Sequence, residues 1–286
     1  MPQLSQKVAV ITGSTRGLGL AIAQAYARAG ASVVASSRSP DAVACAVDSL
    51  RAEGYAAVGQ ACDVGDIDQV RALAQRAVDS FGRIDIWVNN AGLTAPYGPT
   101  ADIPVETFHQ VVQTNILGVY HGSVVALGHM LPRRSGKLIN LVGAGARRPV
   151  AFQNAYGPSK AWVRNFSLAL ATEYKASGVG VYVFSPGLVT TEMLSDVKVV
   201  PGFETKVRAL ETVVGLWGNP PEVPAQKAVW IASSATDGRT GVEINVLTRW
   251  KQLTGLVKAA ARRVTGQPGV PFDLHVTPIQ PAQVRG

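Results

Sequence analysis

The sequence predicts a doubly wound α/β fold of Rossmann type, with helices covering both faces of a parallel sheet of about seven strands. Three observations predict it. Short continuous runs of Val, Ile and Leu alternate with helix-periodic segments through residues 1–248, as in strands buried on both faces. A glycine-rich turn leaves the first apolar run and opens the first helical segment. No internal repeat or long linker interrupts the alternation.

Residues 8–11 (Val-Ala-Val-Ile) form a buried strand, and 18–29 repeat apolar side chains at helical spacing up to Gly30. Strands are expected at 31–36, 56–62, 84–88, 137–142, 179–185 and 242–247. Between them, helices are expected at 42–53, 66–81 (capped by Asp66), 105–131, 155–175 and 223–233. Past 248 the alternation stops. Residues 249–286 read as a separate extension, with a basic amphipathic helix at 251–264 and a loose tail punctuated by Pro268, Pro271, Pro278 and Pro281.

Composition excludes several functions. An apolar fraction of 47% supports a large core, so the chain is not disordered throughout. No apolar run reaches ~18 residues, so no membrane span is expected. The first residues lack a signal-peptide pattern, and a cytoplasmic location is expected. Two cysteines and four histidines show no metal-ligand spacing. The net charge of +8 is scattered, without a nucleic-acid module or aromatic platform, so no nucleic-acid partner is expected.

The first turn, Thr12-Gly13-Ser14-Thr15-Arg16-Gly17-Leu18-Gly19, suits a pyrophosphate. Its glycines permit close backbone approach, and the helix N-terminus presents free N–H groups and a positive dipole end. At the end of the second strand stand Ser36, Ser37 and Arg38 rather than a carboxylate. Arg16 and Arg38 then suit the 2′-phosphate of NADP(H). Asp63, followed by Val64 at the end of the third strand, is placed for the adenine.

Tyr156 and Lys160 are four apart at the start of a helix and share a face. A tyrosine pKa is about 10, so work as a base near pH 7 needs about three units of depression, ~4 kcal/mol. An ammonium ~4 Å away can supply about that much.

Four further motifs appear in order around that pair: the glycine turn, Asn89-Asn90-Ala91-Gly92, Asn115, and Pro186-Gly187-Leu188-Val189-Thr190-Thr191. Over residues 7–247 the set resembles the short-chain dehydrogenase/reductase family. That resemblance implies hydride transfer between nicotinamide C4 and a ketone or secondary alcohol, and a homodimer or homotetramer. It places Asn90, Ala91 and Gly92 along the cofactor cleft and Asn115 at a water of the proton relay. Tyr156 becomes the acid/base, Lys160 orients the ribose, and Val189 and Thr191 meet the carboxamide, with Pro186 and Gly187 in the same loop.

One expected residue is absent. The family's substrate-holding serine falls at Gly143, and Val142, Ala144, Gly145 and Ala146 bring no side-chain donor either. Losing such a donor costs about 10²–10³ in rate unless it is replaced. Gln153 is the first substitute and Asn154 the second. A substrate carrying its own hydroxyls is another account. The alternatives to a reductase are an impaired NADP(H)-binding sensor or a redox-neutral epimerase. The substrate wall is expected from Leu93, Thr94 and Tyr97, then Ala144, Phe152 and Gln153, then Leu188, Met193 and Leu194. Arg147 and Arg148 either hold a substrate carboxylate or phosphate or are solvated. Residues 203–217 form a flap hinged at Gly202, Gly215 and Gly218.

Overall fold

A computed structural model describes residues 3–248 and 272–282. Seven parallel strands build the main sheet: β1 Val8–Ile11, β2 Ser32–Ser37, β3 Ala57–Ala61, β4 Ile86–Asn89, β5 Gly136–Leu141, β6 Val179–Ser185 and β8 Val242–Asn245. Their order across the sheet is β3-β2-β1-β4-β5-β6-β8. The order reverses between β1 and β4, which makes the crevice at their carboxyl ends the place where ligands bind in such sheets.

Helices α1 (Gly17–Arg28), α2 (Pro40–Ala52) and α3 (Ile67–Phe81) follow the first three strands. Asp66 caps α3 as expected, accepting from the N–H groups of Asp68 and Gln69. Between β4 and β5 the chain forms α4 (Val105–Val111) and α5 (Gly118–Met130). Helix α6 (Tyr156–Glu173) crosses from β5 to β6, and α10 (Glu222–Ala232) packs beside α1. One apolar cluster lies on the α1 and α10 face, with Ile11, Ile22, Val33, Phe184 and Ile231. A second lies on the α3 and α5 face, with Val10, Val34, Leu73, Trp87 and Leu138. Strands with side chains in both clusters are buried on both sides, hence their unbroken apolar runs.

Three expectations change. The single helix at 105–131 is instead α4, a π turn at Val112–Leu117 and α5. The extra residue rotates the downstream helix by about 100°, and Asn115 lies fully buried inside that turn. The tail is not loose in its described part: β9 (His275–Pro278) pairs in parallel with β7 (Asp196–Val199) in a second, two-stranded sheet. The Ile279 N–H donates to Val199 O at 2.8 Å, and the Ala282 N–H to Asp102 O at 3.0 Å. The expected helix at 251–264 lies outside the described residues. The flap comprises α8 (Glu204–Val207) and α9 (Ala209–Trp217), with α7 (Glu192–Ser195) before β7. Gly202 and Gly218 flank the two flap helices, but Gly215 falls inside α9.

Candidate active site

The glycine turn is built from short-range polar bonds. Ser14 Oγ donates to Ile11 O at 2.8 Å and accepts from the Ser36 N–H at 3.0 Å. Asn90 Nδ2 donates to Thr12 O and Gly13 O, both at 2.9 Å, while Thr12 Oγ1 accepts from the N–H groups of Asn90 and Ala91. Gly13 is at φ +62°, and a Cβ there would come within 2.9 Å of Ala91 Cα. Helix α1 has no side-chain cap and no acid in its first turn. The N–H groups of Gly17, Leu18 and Gly19 have no acceptor among the described residues. This turn fits a dinucleotide pyrophosphate, since its N–H donors are free among the described residues.

Around the turn the placement is mixed. Arg16 reaches across to Glu192, with Nη1 2.7 Å from Oε2, so it spans from the turn to the 186–191 loop. Both partners are largely exposed, at 79% and 66%, so the pair is a weak surface contact with a carboxylate that has no nearby signal in sequence. Arg38 has no partner among the described residues, and Ser37 Oγ donates to Ser39 O at 3.3 Å. Asp63 keeps one carboxylate oxygen free, the other accepting from the Gly65 N–H at 2.9 Å. Val64 O accepts from His121 Nδ1 at 3.0 Å. Thr191 stands over Gly17, and Val189 forms a bridge with Asn219.

Tyr156 opens α6, and Lys160 lies one turn on, almost fully buried. Lys160 Nζ is 5.6 Å from the Tyr156 ring centroid and 3.4 Å from Leu141 O. Gly92 leaves room for that ammonium: a Cβ on it would touch Lys160 Nζ at 3.4 Å and Asn115 Oδ1 at 3.5 Å. Asn115 accepts from the Leu93 N–H at 2.8 Å and donates to Leu93 O at 2.9 Å and Ser159 Oγ at 3.0 Å. Ser159 Oγ donates in turn to Tyr156 O at 2.7 Å. Ser159 is not among the expected residues; its position three after the tyrosine, on the same helix, is the signal that could have found it.

Burial dominates the electrostatics of the pair. It pushes Tyr156 up to about 12, with a smaller contribution from Tyr97, and pushes Lys160 down to about 8. The ammonium, itself disfavoured by burial, does not offset the phenol's loss of solvation. The phenol oxygen points at Gly143. A Cβ built there would lie inside 3.0 Å of Tyr156 Oη and 3.3 Å from Cζ, so the phenol occupies the space in which a side chain at 143 would begin.

Gln153, the first substitute for the missing serine, is buried and donates to Ala95 O at 3.2 Å. Asn154 donates to Thr100 Oγ1 at 2.5 Å on an exposed edge. Both amides therefore serve the 95–100 loop. Phe152, at φ +65°, packs on Phe203 of the flap at 4.9 Å, with Lys206 Nζ 4.7 and 4.3 Å from the two rings. Met193 is exposed.

Comparison with known proteins agrees with this geometry. The family described as short chain dehydrogenase matches residues 7–199, and the chain belongs to that family of oxidoreductases. A protein named as a candidate ketoacyl reductase of the monensin polyketide synthase in Streptomyces virginiae is 34% identical over 256 residues, covering 86% of this chain and 97% of that one. The cis-4-hydroxycyclohexanecarboxylate dehydrogenase of Sinomonas cyclohexanicum is 33% identical over 244 residues, covering 85% and 95%. A single-residue variant of the actinorhodin polyketide ketoreductase, solved with NADPH, superposes with a TM-score of 0.76 at 28% identity, covering 85% and 96%.

Proposed function

We propose that this chain is an NADP(H)-dependent reductase of a ketone, with Tyr156 as proton donor to the carbonyl oxygen. The observation that carries this reading is the convergence of Tyr156, Lys160, Gly92 and Asn115 at the carboxyl end of β5, beside the unfilled N-terminus of α1. NADPH, when bound, supplies a hydride to the carbonyl carbon. The chain's own residues do the rest. Gly17, Leu18 and Gly19 present N–H groups to the pyrophosphate, and Arg38 is the cation for the 2′-phosphate. Lys160 reaches past Gly92 toward the ribose. The raised pKa of Tyr156 keeps the phenol protonated at neutral pH, the state that reduction requires. Both polar atoms of the Asn115 side chain are engaged by Leu93 and Ser159.

The test follows NADPH oxidation over a panel of ketones, with the reverse reaction over secondary alcohols. Tyr156→Phe lowers kcat by about 10²–10⁴ while NADPH still binds. An unchanged rate would refute the assignment, and NADPH binding without turnover of any compound would favour the sensor reading.

We also assign the oligomer to one face. Leu117, Tyr120 and Val124 are exposed on one flank of the π turn and α5, and Tyr120 meets the stacked Trp162–Phe166 pair of α6. A second copy of the chain covers this apolar face. Sedimentation of Tyr120→Asp, expected to be monomeric against a dimeric or larger parent, checks it.

A further inference from the structure

A cavity of about 270 Å³ lies between the 142–150 loop, α6 and the ends of β6 and β8. Its charged lining is Arg147, Arg148, Arg164 and Glu243, with Ser185 and Asn245 as polar neighbours. Arg164 grips Glu243 with two bonds, Nε to Oε2 at 2.8 Å and Nη2 to Oε1 at 2.6 Å. Arg147 Nη2 adds a third, to Oε2 at 2.7 Å. Arg148 has no partner among the described residues. Two guanidinium groups thus share one carboxylate, Arg148 adds a third cation to the lining, and two positive charges stay unbalanced. Each guanidinium carries five N–H donors. Glu243 takes one from Arg147 and two from Arg164, so most of the set remains available to a ligand.

A purely structural strut is the plain alternative. Partly exposed pairs of this kind add little to stability, and a strut needs neither Arg148 nor a cavity. Glu243 instead acts as the anchor that holds two planar forks in place, which lowers the ordering cost when an anion arrives. The cavity adjoins the reacting centre through Gly143, which lines it and also lies under the Tyr156 oxygen.

We propose that this cavity is an anion subsite, and that the substrate is a compact ketone bearing a carboxylate that Arg147 and Arg148 receive. The substrate assignment rests on Tyr156 as proton donor; the anion subsite does not.

The experiment titrates the cofactor-saturated protein calorimetrically with 4-oxocyclohexanecarboxylate and with its methyl ester, which present the same ketone with and without the charge. The acid binds at least ten times more tightly than the ester. Arg147→Ala and Arg148→Ala each cut that preference fivefold or more, Arg147→Lys restores part of it, and Arg76→Ala, on the exposed face of α3, leaves it unchanged. Equal affinity for acid and ester, or a preference that survives both alanine variants, overturns the proposal. So does inorganic phosphate binding as tightly as the keto acid, because the site would then take free anions rather than a substrate arm. Turnover is read separately. Tight binding of the keto acid without NADPH oxidation refutes the reductase reading and leaves the subsite standing.

Discussion

Placing a side chain at Gly143 tests the geometry most sharply, because general expectation and this structure give opposite signs. On the resemblance alone, Gly143→Ser restores a missing hydroxyl donor and gains about 10²–10³ in rate. Here the first atom added, Cβ, falls inside 3.0 Å of Tyr156 Oη and 3.3 Å from Cζ. Ordinary carbon contacts lie near 3.5–4.0 Å, so the phenol must retreat by about 1 Å. The backbone cannot move away with it, because the helix start packs on the loop so closely that a Cβ on Gly145 would collide with Gly157, and the retreat falls on the phenol side chain itself. A displacement of about 1 Å at a reacting group costs about 10²-fold, ~2.7 kcal/mol of transition-state stabilisation. Gly143→Ala and Gly143→Ser should both lose about two orders of magnitude in kcat/KM for ketone reduction. Affinity for NADPH, followed by fluorescence titration, should be held within about threefold. The alanine variant separates sterics from chemistry, since it adds the clash without a donor. A serine variant that equals or exceeds the parent would refute the argument, for the phenol would then have yielded at no cost.

The same site gives further expected outcomes. Lys160 is buried with its pKa held down to about 8, and the folded state disfavours its ammonium by about 3 kcal/mol. That cost is fully present below about 8 and fades as pH rises toward the ordinary lysine value. Lys160→Met should therefore raise stability by about 1–3 kcal/mol at pH 7, a Tm gain of about 2–10 °C in a calorimetric scan, while abolishing turnover; a lower Tm would contradict this. Ketone reduction uses a phenol that stays protonated below about 12, so its pH profile should stay level and fall only near 8, where Lys160 discharges. Alcohol oxidation, which needs the phenolate and the same ammonium, should climb with pH up to about 8 and level off above it. A reduction rate with its midpoint near pH 6 would tell against both assignments. Arg38→Ala should weaken NADPH about tenfold and leave NADH unchanged, measured as the ratio of their KM values.

The sheet was legible because its central strands are buried on both faces. Runs such as Val8–Ile11 and Val179–Ser185 are apolar almost throughout, and the helices between them carry their own periodicity. The glycine turn and the Tyr156–Lys160 pair were legible for a related reason: the residues that define each lie within a turn or two of chain. The π turn was not, because Asn115 is drawn inward by Leu93 and Ser159, residues 22 and 44 positions away. Nor was β9, whose alternating, proline-marked sequence becomes a strand only against β7, almost eighty residues earlier.

Local sequence therefore determined the order of elements, the glycine turn before α1 and the Tyr156–Lys160 spacing on which the proposed chemistry rests, since these depend on neighbours along the chain and on periodicity. Tertiary packing decided the rest. It turned Arg16 to Glu192, brought Arg147 and Arg164 onto Glu243, raised the tyrosine through burial, and laid its oxygen over Gly143. Each of these depends on desolvation or on contact between segments far apart in sequence, and neither quantity exists until the chain has closed on itself.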